Sequence, residues 1–168
     1  MANEAKTEII VRKFLEKCKE KFEEEKKEFV IIEEKKSDIP KINKLLGIAS
    51  KRGKGIGMPE FIVSFPSRNL IVVIECKAEL KYHKSKELNK YADYAVDGAL
   101  LYSSYLSKDF DVIAIGVSGE DQKELLIDTF LQIQGESKPR DLRINKIYNF
   151  QDYLDILKKD AKKEEADY

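Results

Sequence analysis

The sequence predicts a mixed α/β domain in which a central β-sheet is flanked by helices. Three patterns carry this prediction. Apolar residues recur at helical spacing near the N-terminus, residues 111–119 form a nearly continuous apolar run, and two apolar runs at 61–65 and 70–76 enclose the polar break PSRN. These patterns favour an amphipathic helix, a strand covered on both faces and a β-hairpin. The expected element order is helix, strand, hairpin, helix, strand, strand, helix.

The first half of the chain is expected to begin with a helix over residues 4–27, where apolar residues recur at helical spacing and Glu and Lys fill most other positions. The segment FVIIEE at 29–34 is rich in branched residues and favours a strand. SDIP at 37–40 breaks the chain, and KINKLLGIA after it is a candidate short helix. SKRGKGIG at 50–57 holds three glycines and is a candidate loop before the hairpin.

After the hairpin, Ser85 is expected to cap a helix over residues 86–106. Gly98 inside that helix is unfavourable for helix formation and therefore indicates a close contact with a neighbouring element. Residues 111–119 form the next strand. Its apolar side chains on both parities predict burial on both faces of the sheet.

The C-terminal part is expected to contain a strand and a helix. Within residues 124–133, leucines and isoleucines occupy one parity, which favours a strand. Asn149 is a candidate cap for a helix from 150 to about 164. The polar tail from about residue 160 is expected to fray.

Length and composition indicate one domain over residues 1–168, and we expect it to be a piece of a longer chain or to need a partner. Lys plus Arg equals Asp plus Glu, 31 against 31, so binding to nucleic acid would have to come from local basic patches. No apolar run approaches a membrane span and the N-terminus lacks a signal pattern. Cys18 and Cys76 are interpreted as reduced thiols of a cytoplasmic protein, with Cys76 buried.

The hairpin predicts a meeting of charged residues at its open end. A turn around Ser67 and Arg68 pairs residues whose numbers sum to about 135, so Glu60 faces Glu75. Directly opposed residues point to the same side of a sheet. Lys77 lies two residues beyond Glu75 and shares that side. The three side chains should therefore converge on one patch.

Two opposed carboxylates repel each other and destabilise a sheet unless a cation offsets the repulsion. Lys77 alone can do so as part of an ordinary ion-pair cluster. A divalent cation is the other option, because oxygen ligands at this separation suit Mg²⁺. The carbonyl of Cys76 is then a candidate further ligand. Residue spacing leaves both options open.

The letters PE at 59–60 and ECK at 75–77, separated by fourteen residues, resemble the PD-(D/E)xK nuclease signature, with Glu60 in place of the usual Asp. The segment 91–119 is similar to the segment after the motif in one branch of that superfamily. In that branch the nuclease domain lies at the N-terminus of restriction enzymes fused to an adenine methyltransferase, with type I restriction subunits as more distant kin. The resemblance spans roughly residues 4–135 and implies a restriction-endonuclease-like core.

The resemblance also implies roles for individual residues. Glu60 and Glu75 would hold one or two Mg²⁺ ions, for which Mn²⁺ can substitute, with the Cys76 carbonyl as a further ligand. Lys77 would orient or deprotonate the attacking water. Glu8 lies where such families often carry an accessory acidic ligand, although a first-turn glutamate that complements the helix dipole is an equal alternative.

Two local patches are basic, SKRGKG at 50–55 and the lysine-rich stretch 77–90, and their residues are candidates for contacts with DNA phosphates. They are Lys51, Arg52, Lys54, Lys81 and Lys84. His83, the single histidine, lies in the second patch and is expected to be solvated or to contact phosphate, not to act in catalysis.

The function implied is a Mg²⁺-dependent endonuclease domain that hydrolyses DNA phosphodiester bonds in a restriction–modification enzyme. Its expected partners are double-stranded DNA and a methyltransferase or specificity region, in the same chain or in a partner subunit, and the sequence is compatible with a dimer. A repair or junction-resolving nuclease of the same superfamily is one alternative. A non-catalytic module that binds nucleic acid or protein on the same fold is another, and a plain α/β interaction domain is a third.

Overall fold

A computed structural model describes residues 3–50 and 58–166 of the chain, and this part folds into a six-stranded mixed sheet flanked by four α-helices. The strands are β1 (Ile31–Glu33), β2 (Phe61–Ser64), β3 (Leu70–Lys77), β4 (Asp111–Ser118), β5 (Leu126–Gln132) and β6 (Arg140–Asp141). The helices are α1 (Glu4–Lys26), α2 (Pro40–Ser50), α3 (Ala95–Leu106) and α4 (Phe150–Ala166). The expected α/β class with a central sheet and flanking helices is confirmed.

The strands lie in the sheet in the order in which they occur in the chain. Every neighbouring pair is antiparallel except β3 and β4, which run parallel and are connected through α3. In the hairpin, Phe61 pairs with Ile74 and Ile62 with Val73, so the expected register is confirmed. This register brings the start of β2 beside the end of β3, which is the part of the sheet where the charged residues were expected.

Each face of the sheet carries its own apolar core, because successive side chains of a strand point to opposite faces. On one face, α1 and α4 pack on β2–β5, and three aromatic rings of this core meet edge to face at centroid distances of 5.4–6.1 Å: Phe22, Phe65 and Phe150. On the other face, α2 and α3 pack on the same sheet. The alternate residues of β3 divide between the two cores, so this strand is buried on both faces.

The N-terminus of α1 is fixed against the sheet at the ends of β3 and β4. Asn3 caps the helix, since its side chain accepts a hydrogen bond from the Ala5 N–H at 3.0 Å. The hydroxyl of the fully buried Thr7 donates to the carbonyl of Gly119 just after β4. This contact places the first two turns of α1 beside the open end of the hairpin.

The helix expected over 86–106 begins nine residues later, at Ala95, and the assignment of Ser85 as its cap is wrong. Instead, the Ser85 hydroxyl and N–H both donate to the buried carboxylate of Asp97, and the Lys90 N–H donates to it at 2.9 Å. These bonds hold residues 85–90 as a loop. Leu88 within it adopts a left-handed backbone with φ 57°, which a helix excludes.

Gly98 makes the close contact that its place in a helix indicated. An added Cβ would lie 3.0 Å from the Tyr91 carbonyl oxygen and 3.1 Å from Oε2 of Glu75. The glycine therefore lets α3 approach the end of β3 directly above Glu75.

Other differences from the expected order are small. The candidate helix after the SDIP break is confirmed as α2, although the expected order had omitted it, and the short strand β6 was not expected. The strand expected at 29–34 is only three residues long. Among the helices in the described part of the chain, none combines the length and apolarity needed to cross a membrane.

Candidate metal centre

Glu60 and Glu75 meet at the open end of the hairpin, as the register predicted. Glu60 directly precedes β2, and its N–H donates to Oε1 of Glu75 at 3.2 Å. Both residues are only 7 % exposed. The other oxygen of Glu75 accepts a hydrogen bond from the hydroxyl of Tyr102, on α3, at 3.1 Å. Glu75 is therefore held in place from both β2 and α3.

Glu60 also meets the first two turns of α1. One carboxylate oxygen from each of three residues, Glu4, Glu8 and Glu60, lies within 4.8 Å of the other two, and we call these residues the acidic cluster. Glu4 and Glu8 are one helical turn apart, so their side chains lie on the same face of α1. Glu8 therefore lies close to Glu60, and its role as an accessory ligand stays a prediction. Among the described residues, Glu75 is not within the same short distance of all three.

Lys35 contributes a positive charge to the acidic cluster. Its ammonium forms an ion pair with Glu60 and a longer one, at 3.6 Å, with Glu8. The backbone N–H of Lys35 donates to the Pro59 carbonyl at 2.9 Å, so its position is tied to the residue that precedes Glu60.

Burial raises the pKa values of both hairpin glutamates. Burial raises the pKa of Glu60 to about 9, and its hydrogen bond with Glu8 and the charge of Glu75 act in the same direction while Lys35 opposes them. Burial likewise raises the pKa of Glu75 to about 7, against the charge of Lys77 and the hydrogen bond from Tyr102. Lys35 lowers both pKa values, but it does not outweigh the effect of burial on the two carboxyl groups.

Lys77 lies at the end of β3 with its side chain partly exposed. In the described part of the chain, its ammonium donates to the carbonyl of Ala92 at 3.1 Å and not to either hairpin glutamate. Its charge still lowers the pKa of Glu75. The ammonium is thus near the site but is held at its edge by the loop that precedes α3.

The direction of the Cys76 carbonyl follows from that of the next carbonyl along β3. The carbonyl of Lys77 accepts from the Gly119 N–H at 3.0 Å and so points towards β4. Successive carbonyls of a strand point to opposite neighbours. The Cys76 carbonyl therefore points away from β4, towards the side on which Glu60 lies. The side chain of Cys76 is fully buried in the core with α1, as expected.

Two of the basic candidates lie on the loop between β3 and α3. The Lys81 side chain is exposed and its ammonium lies 5.1 Å from the centre of the Tyr82 ring. Lys84 is half exposed, 3.9 Å from a carboxylate oxygen of Asp128. Lys51, Arg52 and Lys54 lie outside the described residues.

The expectation that His83 is solvated is wrong. The residue is 5 % exposed, with Nδ1 2.9 Å from Oγ of Ser118 and Nε2 2.6 Å from Oδ2 of Asp128. Burial lowers its pKa, although Asp128 opposes the shift. Ser118 is completely buried and so cannot meet a substrate as a nucleophile. This trio fixes the loop between β3 and α3 to the sheet.

Sequence reasoning missed three residues of the site, namely Glu4, Lys35 and Tyr102. Glu4 had a usable signal, since it precedes Glu8 by one helical turn. Tyr102 was interpreted only as part of an apolar helical stripe, and its hydroxyl contact with Glu75 depends on where α3 packs. Lys35 follows the strand β1, and its role depends on β1 pairing with β2.

Comparison of the chain with protein-family models, curated proteins and solved structures gives no match. A functional proposal for this chain therefore depends on the geometry of the site and on the motif.

Proposed function

We propose that this chain is a Mg²⁺-dependent endonuclease domain that hydrolyses DNA phosphodiester bonds within a restriction–modification enzyme. The observation that carries the proposal is the meeting of Glu60 with Glu75 across the hairpin and with Glu8 of α1. The order of α1, hairpin, α3 and parallel β4 agrees with the context in which the PD-(D/E)xK signature is expected. We therefore propose a restriction-endonuclease-like core for this sheet.

The donor set fits Mg²⁺ or Mn²⁺ in its chemistry. Carboxylate and carbonyl oxygens are the hard ligands that these ions prefer. Glu60 and Glu8 would hold the ion, with Glu75 and the Cys76 carbonyl as further ligands and Glu4 as an outer carboxylate. The raised pKa of Glu60 reflects mainly the burial of its carboxyl group, and Glu8 and Glu75 act in the same direction. Once bound, the ion supplies a water of lowered pKa and stabilises negative charge on the phosphate.

The remaining chemistry belongs to the chain. Tyr102 and the Glu60 N–H keep the carboxylate of Glu75 in one orientation. The Lys77 side chain, once released from the Ala92 carbonyl by rotation, orients the attacking water as the ammonium or, in its neutral amine form, accepts a proton from that water at Nζ. The burial of both hairpin glutamates excludes bulk water and so strengthens these interactions.

DNA binding by this domain would depend on local positive charge and on a partner. The chain carries no net charge, so phosphate contacts would come from Lys81 and Lys84 and from the basic residues at 51–54. A methyltransferase or specificity region, in the same chain or in a partner subunit, would supply sequence recognition, and a dimer is compatible with two-strand cleavage. Cys18 and Cys76 are buried free thiols, which fits a cytoplasmic protein.

A non-catalytic binding module is the second candidate, and one observation favours it. Lys35 already neutralises part of the acidic cluster, as it would in a purely structural ion-pair group. The two candidates differ in the role of Lys77. An endonuclease needs this lysine to orient or deprotonate the attacking water, whereas a binding module has no hydrolytic step in which it could act.

Cleavage of supercoiled plasmid DNA tests the proposal. The assay uses the full-length parent or the reconstituted complex, at low salt, with Mg²⁺ or Mn²⁺. Lys77→Ala is expected to lose most of the activity, whereas Lys138→Ala, which removes the same charge from an exposed position, is expected to keep it. Undiminished cleavage by Lys77→Ala would refute the proposed role of Lys77. Cleavage that continues unchanged after a chelator is added would refute the dependence on a metal ion.

A further inference from the structure

The ammonium of Lys35 lies between two carboxylates that the proposed function assigns to a metal ion. It is paired with Oε2 of Glu60 and lies 3.6 Å from Oε1 of Glu8. The Glu60 side chain is almost completely buried, whereas the Lys35 side chain is 47 % exposed. Lys35 can therefore turn out into solvent, and Glu60 cannot follow it.

The backbone places Lys35 at this position independently of its side chain. Lys35 has a left-handed backbone with φ 69°, which is unfavourable for a lysine. Its N–H donates to the carbonyl of Pro59, and β1 pairs with β2 from Glu33↔Ile62 inwards. The residue is thus fixed beside Glu60 by main-chain contacts, which argues against a chance approach of a long surface side chain.

A lysine ammonium and a divalent ion at this place exclude each other. A Mg²⁺ or Mn²⁺ ion bound by Glu8 and Glu60 would lie about 2 Å from one oxygen of each. The ammonium is directed at the same two carboxylates. Two cations only a few ångströms apart in a partly buried site repel each other strongly.

We propose that Lys35 is a built-in counter-ion that competes with the divalent cation for Glu8 and Glu60, so that the ion binds only when the Lys35 ammonium leaves. This inference rests on the proposed metal site. Lys35 keeps the acidic cluster together in the absence of the ion, and it lowers the affinity of the cluster for the ion. Because the ammonium leaves towards solvent, metal loading also exposes a positive charge at the mouth of the site.

Isothermal titration of the protein with Mn²⁺ alone tests the competition. Lys35→Gln removes the ammonium, and it is expected to bind Mn²⁺ about tenfold more tightly than the wild type, since a partly buried ion pair contributes on the order of the free energy of a tenfold change. Lys36→Gln is the matched control, because it removes the same charge from the adjacent exposed residue. It is expected to bind like the wild type.

Thermal unfolding gives a second readout on the same variants. Without metal, Lys35→Gln is expected to melt below the wild type because the acidic cluster loses its counter-ion. With Mn²⁺, its melting temperature is expected to rise by more than that of the wild type, as tighter binding requires. If Lys35→Gln does not fold, Lys35→Asn replaces it, because Asn tolerates the left-handed backbone at this position.

The outcomes separate this inference from the proposed function. Unchanged or weaker Mn²⁺ binding by both Lys35 variants, with normal binding by the wild type, overturns the competition and leaves the metal site intact. Absence of Mn²⁺ binding by the wild type and by every Lys35 variant overturns both. Binding that appears only when Lys35 is replaced supports the competition in its strongest form.

Discussion

Replacement of Glu60 by Gln should stabilise the metal-free protein, and the gain should grow with pH. Burial raises the pKa of Glu60 from 4.5 to about 9, with smaller contributions from Glu8 and Glu75. The folded chain therefore binds this proton more tightly than the unfolded chain does. The contribution of Glu60 to the free energy of unfolding is therefore largest at low pH, and it is lost as the pH rises from 4.5 towards 9. Gln resembles the protonated carboxyl group and has no proton to lose.

The size of the effect follows from the pKa values of Glu60 in the two states. Each pH unit above 4.5 costs the wild type about 1.4 kcal/mol until the folded group ionises. The cost is therefore less than ~1 kcal/mol at pH 5 and ~3 kcal/mol at pH 7. The pKa of about 9 already includes the opposing effect of Lys35, so no separate correction for that contact is needed. A gain of about 3 kcal/mol at pH 7 corresponds to a rise in melting temperature of roughly 6–12 °C for a domain of this size.

Thermal unfolding in chelator between pH 5 and pH 8 measures this effect. The wild type and Glu60→Gln should have similar melting temperatures at pH 5 and should diverge as the pH rises. Glu87→Gln makes the same chemical change at an exposed position and should follow the wild type throughout. Added Mg²⁺ should raise the melting temperature of the wild type and leave that of Glu60→Gln unchanged. A Glu60→Gln variant that melts below the wild type at pH 8 would show that the ionised carboxylate supports the fold.

Four further predictions test the neighbouring residues. Glu75→Ala should remove most Mn²⁺ binding in a calorimetric titration, because it deletes a carboxylate beside Glu60. Lys77→Ala should keep Mn²⁺ binding while it loses DNA cleavage, because the role proposed for Lys77 is to orient or deprotonate the attacking water and not to ligate the ion. Lys81→Ala combined with Lys84→Ala should weaken duplex DNA binding, and the slope of log K against log salt should fall by roughly one for each phosphate that is no longer neutralised, as fluorescence anisotropy can measure. Gly98→Ala should cost roughly 1–3 kcal/mol in urea unfolding, because its Cβ would lie 3.1 Å from Glu75.

Each of these four predictions would be contradicted by a specific result. Mn²⁺ binding by Glu75→Ala equal to that of the wild type would remove Glu75 from the site. Loss of Mn²⁺ binding in Lys77→Ala would mean that this lysine supports the ligands. An unchanged salt slope in the Lys81 and Lys84 variant would place the DNA elsewhere, and an unchanged urea midpoint for Gly98→Ala would mean that α3 can move.

The hairpin was predictable from the sequence because its register depends on local information. The polar break between the two apolar runs limits the turn to a few residues, and the length of the turn in a hairpin determines which residues of the two strands pair. The pairing of Phe61 with Ile74 follows directly, and with it the approach of Glu60 to Glu75. The burial of β4 on both faces was likewise visible in its continuous apolar run.

The start of α3 was not predictable because a distant contact decides it. Ser85 followed by polar residues has the pattern of a helix cap, and the local sequence gives no reason to reject it. The carboxylate of Asp97 accepts three hydrogen bonds from Ser85 and Lys90, and these bonds close a loop where the local pattern favours a helix. The expectation for His83 failed for the same reason, since Asp128 on β5 reaches it from a strand far along the chain.

The position of Lys35 beside Glu60 could not be predicted from the motif. The motif describes the β2–β3 half of the site, but the balance of charge depends on the antiparallel pairing of β1 with β2, which brings the end of one strand beside the start of the next. Because of this pairing, Lys35 lies beside Glu60 and forms an ion pair with it. The same argument predicts a difference between relatives of this fold. A chain whose first strand ends without a lysine at this place should bind its divalent ion more tightly, and its metal-free state should be less stable.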